Sequence, residues 1–333
     1  MKPRILLLSL LMLCAPAQGA EAIEHASAIP AWFTETFLDF REDIADAAKE
    51  GKRLMVYFGQ DGCPYCKELM QNNFSQKAIV DKTRRHFTAI AFNIWGDREV
   101  TWTDGRKFSE KQFAAFLKIQ FTPTLLFFDE RGRVVARLNG YYPPRRFDAV
   151  IDWIAGRMED RVSLADHLER SVKEAANPAL HDELFFLKPP YDLRRKAKRA
   201  LAVFFETPDC GACDELHAEG FRRPEIAQSL ERFDVARFAL GERTRVITPG
   251  GERLPAEDWA RALGIVYTPS VVFFGAAGRE AFRIEAYLRP FHLAGSLDYV
   301  ASGAYRREPN FQRFLQARAE DRRRRGENVD LWR

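Results

Sequence analysis

The chain has 333 residues, 46% hydrophobic and 29% charged, which is material for about two globular domains. Its 51 basic and 47 acidic residues leave a net charge of +4, too balanced for the strongly basic face of a general nucleic-acid binder. Beyond the first segment nothing is apolar enough to enter a bilayer, and collagen-like or disulfide-dense compositions are excluded as well.

Lys2 and Arg4 precede an apolar run, Ile5–Leu13, followed by small residues through Ala20. That order is expected of a secretory signal peptide over residues 1–20, cleaved after Ala20, and it places the chain in the periplasm. Cleavage removes Lys2, Arg4 and Cys14, so the net charge falls to +2 and four cysteines remain: Cys63, Cys66, Cys210 and Cys213. Two CxxC pairs in an oxidising compartment suggest redox chemistry rather than stapling.

From residue 21 the pattern reads as a domain extending to 156. A charged stretch, Phe37–Glu50, predicts a helix, and the aromatic apolar run Leu54–Phe58 predicts a buried strand. The first CxxC opens a helix, and Phe87–Ile94 reads as a second strand. Asp104-Gly105 signals a hairpin, Ser109–Lys118 a helix, and Leu125–Phe128 a strand that turns back at Asp129–Gly132. A last helix falls near Arg145–Ile154. Residues 157–186 read as a partly helical linker.

The pattern then repeats over 187–305. Cys63 and Cys66 recur 147 residues later, and with one residue lost Thr122-Pro123 recurs 146 later as Thr268-Pro269. Phe58, Glu68, Leu69, Phe74 and Ile79 return as Phe205, Glu215, Leu216, Phe221 and Ile226. A period this long is a duplicated domain. The second copy is expected to hold a weak helix at Tyr191–Lys198, strands at Leu201–Phe205, Phe233–Leu240 and Val271–Phe274, and helices at Ala256–Leu263 and His292–Val300. The fold class is α/β: two tandem domains, each a central mixed sheet flanked by helices. Residues 306–333 read as a charged tail, with the run Arg322–Arg325 on a solvated helix end.

A CxxC placed after a buried strand and opening a helix suits a redox dithiol. The helix N-terminus stabilises thiolate on the first cysteine, and the two-residue spacing lets the second attack a mixed disulfide. Cys63 and Cys210 are expected to be nucleophiles; Cys66 and Cys213 are expected to resolve. Lys67 favours thiolate at the first site, whereas Asp209, Asp214 and Glu215 disfavour it at the second.

Both copies resemble the thioredoxin superfamily, through Cys63-Pro-Tyr-Cys66 with Thr122-Pro123 and Cys210-Gly-Ala-Cys213 with Thr268-Pro269. The resemblance implies that Pro123 and Pro269 are cis, and that Thr122, Pro123, Thr268, Pro269, Pro64 and Tyr65 line a substrate groove. The stretches Gly62–Leu69, Asn93–Gly96 and Phe121–Thr124 make the first copy similar to SoxW-type exported thioredoxins. That implies reduction of protein disulfides, no small-molecule cofactor, and electrons from a membrane thiol transporter of the DsbD or CcdA type. One departure is visible: the family's buried aspartate, six residues before the first cysteine, is Tyr57 here and Phe204 in the second copy.

Other readings stand beside this one. An oxidase or isomerase would use the same residues with opposite electron flow, and a CxxC can handle Cu(I). A four-thiolate zinc site fits poorly, because 143 residues separate the pairs. Trp95 and Trp102 suit either a groove wall or hairpin packing. No histidine neighbours a CxxC, and His86 and His217 read as solvent or core residues.

Overall fold

A computed structural model of the chain describes residues 29–172, 177–194 and 199–331. The proposed signal peptide and its cleavage site lie outside the described residues. The first domain runs α1 (Phe40–Lys49), β1 (Arg53–Gly59), α2 (Pro64–Glu68), α3 (Lys77–His86), β2 (Phe87–Asn93), β3 (Glu99–Thr101), β4 (Lys107–Ser109), α4 (Glu110–Phe116), β5 (Thr124–Phe128), β6 (Val134–Asn139) and α5 (Pro144–Ala155). The linker carries α6 (Leu164–Ser171). The second domain runs β7 (Tyr191–Asp192), β8 (Ala200–Glu206), α7 (Gly211–Glu215), α8 (Pro224–Leu230), β9 (Phe233–Ala239), β10 (Arg245–Ile247), β11 (Arg253–Pro255), α9 (Ala256–Ala262), β12 (Ser270–Phe274), β13 (Glu280–Ile284) and α10 (Pro290–Ala301). A final helix, α11, spans Phe311–Arg324.

Each domain has a four-stranded mixed sheet, ordered β2-β1-β5-β6 in the first and β9-β8-β12-β13 in the second. The equivalent pairings are the same: β1 lies parallel to β2 and antiparallel to β5, as β8 lies to β9 and β12. All seven residues of β1 are buried, which matches the unbroken apolar run Leu54–Phe58; Arg53 at its start is paired with Glu130 and Glu159. The period of two still sorts them. Met55 and Tyr57 enter one core with the dithiol, while Leu54, Val56 and Phe58 enter the other. In β8, Ala202 and Phe204 oppose Leu201, Val203 and Phe205 in the same way.

Local signals set the helix ends. Asp39 caps α1 by accepting from the Arg41 and Glu42 backbone N–H groups, so the helix begins at Phe40 rather than at the expected Phe37. Ser109 and Gln112 form a capping box on α4. Two expectations are corrected. Tyr191-Asp192 is a short strand parallel to β10, not the start of a helix, because its backbone finds an open edge there; residues 195–198 lie outside the described ones. The charged tail is a docked helix: Phe311 is wholly buried and α11 packs on α10 through Leu315 and Ala319. The run at its end is solvated as expected, with Arg322 and Arg325 both paired to Glu327.

The two domains meet through equivalent surfaces. Phe121, just before Thr122-Pro123, enters the core of the second domain against Phe282 and Phe311, with ring centroids 5.5 Å apart in each case. Its counterpart Tyr267, just before Thr268-Pro269, enters the core of the first domain against Tyr142, at 4.6 Å. Asn139 donates to Glu285, which occupies the equivalent position, and the equivalent pair Gly140 and Ala286 are in close approach. At Gly140 the left-handed φ of +85° and a Cβ that would sit 2.8 Å from the Ala286 Cβ both call for glycine. An approximate two-fold axis therefore relates the halves.

Candidate active sites

The first dithiol sits where β1 gives way to α2. Cys63 is the N-cap residue, and Pro64 takes the first helical position, where its missing N–H costs nothing. Cys63 and Cys66 are joined, with Cα atoms 5.2 Å apart. The Cys66 backbone N–H points at the Cys63 sulfur, N···S 3.1 Å, and the Thr122 carbonyl oxygen lies 3.3 Å from the same sulfur. An N–H aimed at sulfur at a helix N-terminus lowers the free energy of thiolate relative to thiol. Thr122-Pro123 is cis, as the resemblance implied.

The second dithiol repeats the geometry. Cys210 caps α7 and is joined to Cys213, again with Cα atoms 5.2 Å apart, and the Cys213 N–H is 3.1 Å from the Cys210 sulfur. Thr268-Pro269 is also cis, and the Thr268 hydroxyl is 3.0 Å from that of Thr207. The residue before each nucleophile has a left-handed φ, +70° at Gly62 and +54° at Asp209. Only the first copy uses glycine for it; aspartate tolerates that region better than most side chains.

The surroundings differ. At the first site the second domain closes over the CPYC loop. The Arg289 backbone N–H donates to the Tyr65 hydroxyl at 2.7 Å, the Arg289 guanidinium pairs with Glu68 at 2.6 Å, and His292 stands edge-on to the Tyr65 ring. Burial pushes the Glu68 carboxyl up; Arg289 pulls against it and Glu215 adds to it. Burial, helped by Arg289, pushes His292 down to about 4, so its imidazole is neutral at pH 7. Side-chain amides tie α11 to the groove. Gln60 donates to Thr122 Oγ1 and to Gln312, Gln312 donates to the Gln120 carbonyl, and the Trp95 indole N–H donates to Gln60. Trp95 thus stands on the groove, while Trp102 packs in the core among Phe40, Phe113 and Phe128. Both expected roles are filled, one by each tryptophan.

At the second site the linker closes over the dithiol. The Asp209 backbone N–H donates to the Asn177 carbonyl, and Asp214 accepts from the Asn177 N–H and pairs with His181 at 2.6 Å. Burial would raise the Asp214 carboxyl, but these two contacts outweigh it and hold it below its ordinary range. Asp214 is therefore a carboxylate engaged by the linker rather than an open charge beside the dithiol. One turn beyond Cys213, His217 is buried between two carboxylates, with Glu183 3.0 Å from Nδ1 and Glu206 3.1 Å from Nε2. Arg222 binds Glu183 at 2.7 Å. This cluster is invisible to motif reading because Glu183 comes from the linker; an apolar strand ending in the wholly buried Glu206 was the available signal.

The positions of the family's buried aspartate hold apolar contacts. Tyr57 is buried in the dithiol core and its hydroxyl is pushed well above its ordinary value by burial, with Asp61 adding to the effect, so it carries no charge there. Among the described residues no group of three or more histidine, cysteine or acidic side chains is placed so that it could hold a metal ion, and no helix is long and apolar enough to cross a membrane.

Two dithiols on this scaffold equip the chain for thiol–disulfide exchange. A curated relative, the thiol:disulfide interchange protein DsbD of Pseudoalteromonas atlantica, is 27% identical over 113 residues, covering 33% of this chain and 17% of that protein. Among solved structures, a thioredoxin-fold protein from Helicobacter pylori is 24% identical with a TM-score of 0.35, covering 42% of this chain and 86% of the other. The oxidised C-terminal domain of Neisseria meningitidis DsbD is 18% identical with a TM-score of 0.27, covering 38% and 98%. The family model of the thioredoxin-like domain matches twice, over residues 40–155 and 192–301. The chain belongs to the thioredoxin-like domain family, as a tandem of two copies.

Proposed function

We propose that this chain is an exported thiol:disulfide oxidoreductase that reduces protein disulfides through Cys63 and Cys66. The observation that carries the reading is the pair of contacts on the Cys63 sulfur, the Cys66 N–H at 3.1 Å and the Thr122 carbonyl at 3.3 Å. The N–H favours thiolate, and the carbonyl is an acceptor beside the sulfur for a substrate's backbone N–H. The Cys63 thiolate attacks a substrate disulfide, one substrate sulfur leaves as thiolate, and a mixed disulfide remains. Cys66 loses its proton and attacks Cys63, releasing the second substrate thiol and leaving the enzyme oxidised. Cys210 and Cys213 repeat the chemistry or relay electrons. The order Lys2, Arg4, Ile5–Leu13, Ala20 supports export to the periplasm. Likeness to part of a DsbD supports a membrane thiol transporter of that type, or of the CcdA type, as the electron donor.

The test is the reduction potential of each pair with the other changed to serine. A first-site value near about −270 mV is expected of a reductase, whereas about −120 mV would make the chain an oxidant. Iodoacetamide rates against pH give a second check. Cys63 is expected to titrate below Cys210, since Lys67 adjoins the first pair while Asp209 and Glu215 flank the second. A lower apparent pKa at Cys210 would reverse the assignment of the faster nucleophile.

A further inference from the structure

Cys63 is only 5% exposed. What it faces is a cavity of about 340 Å³ closed by three parts of the chain: the CPYC loop and Trp95 of the first domain, Leu288 and His292 of the second, and α11. That volume lies near the lower end of small-ligand sites, about 300–1,000 Å³. α11 screens one side of this cavity and is held there by Phe311, by the Gln60–Gln312 hydrogen bond and by the Gln312 bond to Gln120.

The walls specify an occupant. Tyr65, Trp95, Phe121 and Leu315 offer apolar surface, and the buried Nδ1 of the neutral His292 has no hydrogen-bond partner. That nitrogen belongs to a residue of the cavity wall that also stands edge-on to Tyr65. Two exposed residues of opposite charge also line the cavity, Asp61 and Arg323, and neither has an ion-pair partner among the described residues. A cation and an anion on one small cavity complement the ammonium and carboxylate of an amino acid.

We propose that, besides protein disulfides, the first site reduces a low-molecular-weight disulfide of amino-acid or short-peptide type, of cystine's class. Its carboxylate would pair with Arg323 and its ammonium with Asp61, and its methylene groups would lie against the aromatic wall. This rests on the dithiol reading of Cys63 and Cys66. In the step, the Cys63 thiolate bonds to one substrate sulfur and the S–S bond breaks. The other half leaves as thiolate and takes a proton from solvent. Cys66 then gives up its proton and displaces the second half, so the substrate gains two electrons and the enzyme becomes the disulfide. A dithiol donor, dithiothreitol in the assay, restores it.

The experiment compares cystine, neutral hydroxyethyl disulfide and insulin as substrates of the reduced full chain. Arg323→Glu is expected to raise KM for cystine about five- to tenfold and leave hydroxyethyl disulfide unchanged. Gln316→Trp, at an exposed position of α11 on the cavity, is expected to lower kcat/KM for both small disulfides about tenfold. Equal effects of Arg323→Glu on both small disulfides, or none on either, would overturn the inference, as would insulin reduction without cystine reduction. A chain that reduces none of the three overturns the dithiol reading itself.

Discussion

Cys63→Ser is expected to lower disulfide reduction by the full chain at least about a hundredfold, the largest effect of any single change. The hydroxyl that replaces the thiol does not ionise near neutral pH, so the Cys66 N–H now 3.1 Å from sulfur would have no anion to stabilise. Cys66→Ser should behave differently. It keeps the nucleophile and removes the resolving step, so the mixed disulfide should accumulate and be visible by mass. Cys210→Ser separates the roles of the two sites. If the second copy is a relay or docking module, insulin reduction driven by dithiothreitol survives that change. Retained activity in Cys63→Ser would transfer the catalytic role to the second dithiol.

Glu206→Ala is expected to cost about 3–5 kcal/mol of stability, the range for breaking a buried ion pair by removing one partner. Glu206 is wholly inaccessible and His217 is 2% exposed, so water cannot replace the lost carboxylate. The pH dependence follows from His217. Burial works to lower its pKa, but the contacts with Glu206 and then Glu183 prevail, and the net direction is up. A histidine whose pKa is raised by folding contributes stability that is fully present below its unfolded value of about 6.5 and is lost as pH rises through the folded value. The urea midpoint of the intact chain should therefore fall as pH rises above that unfolded value. In His217→Gln that part of the slope should vanish. A midpoint that rises with pH in the intact chain, with that rise lost in His217→Gln, would show that His217 is held neutral instead.

Much of this architecture was legible in the chain itself. The buried strands announce themselves because both faces of each sheet are covered, so Leu54–Phe58 and Leu201–Phe205 are unbroken apolar runs. The dithiols and the Thr-Pro pairs sit at fixed distances that recur once, and Ser109 marks its helix by its own side chain. What escaped depends on partners far away in sequence. The burial of Cys63 comes from residues around 288 and from α11, whose apolar anchors Phe311 and Leu315 are spaced among five arginines and read as a solvated tail. The His217 cluster needed Glu183 from the linker, and the strand at Tyr191-Asp192 needed the free edge of β10. Local patterning names an element; it does not say which distant surface will cover it.

The reciprocal seating of Phe121 and Tyr267 has a consequence for how such a chain arises. An interface in which each half offers the same patch to the other is what two identical subunits form about a two-fold axis. Once such a pair is joined end to end, neither copy has to serve both roles at the contact. Substitutions that identical subunits would have to bear twice can then settle in one half alone. The glycine before Cys63 with an aspartate before Cys210, and the cover of α11 over one dithiol with the linker over the other, are differences that two identical subunits could not hold.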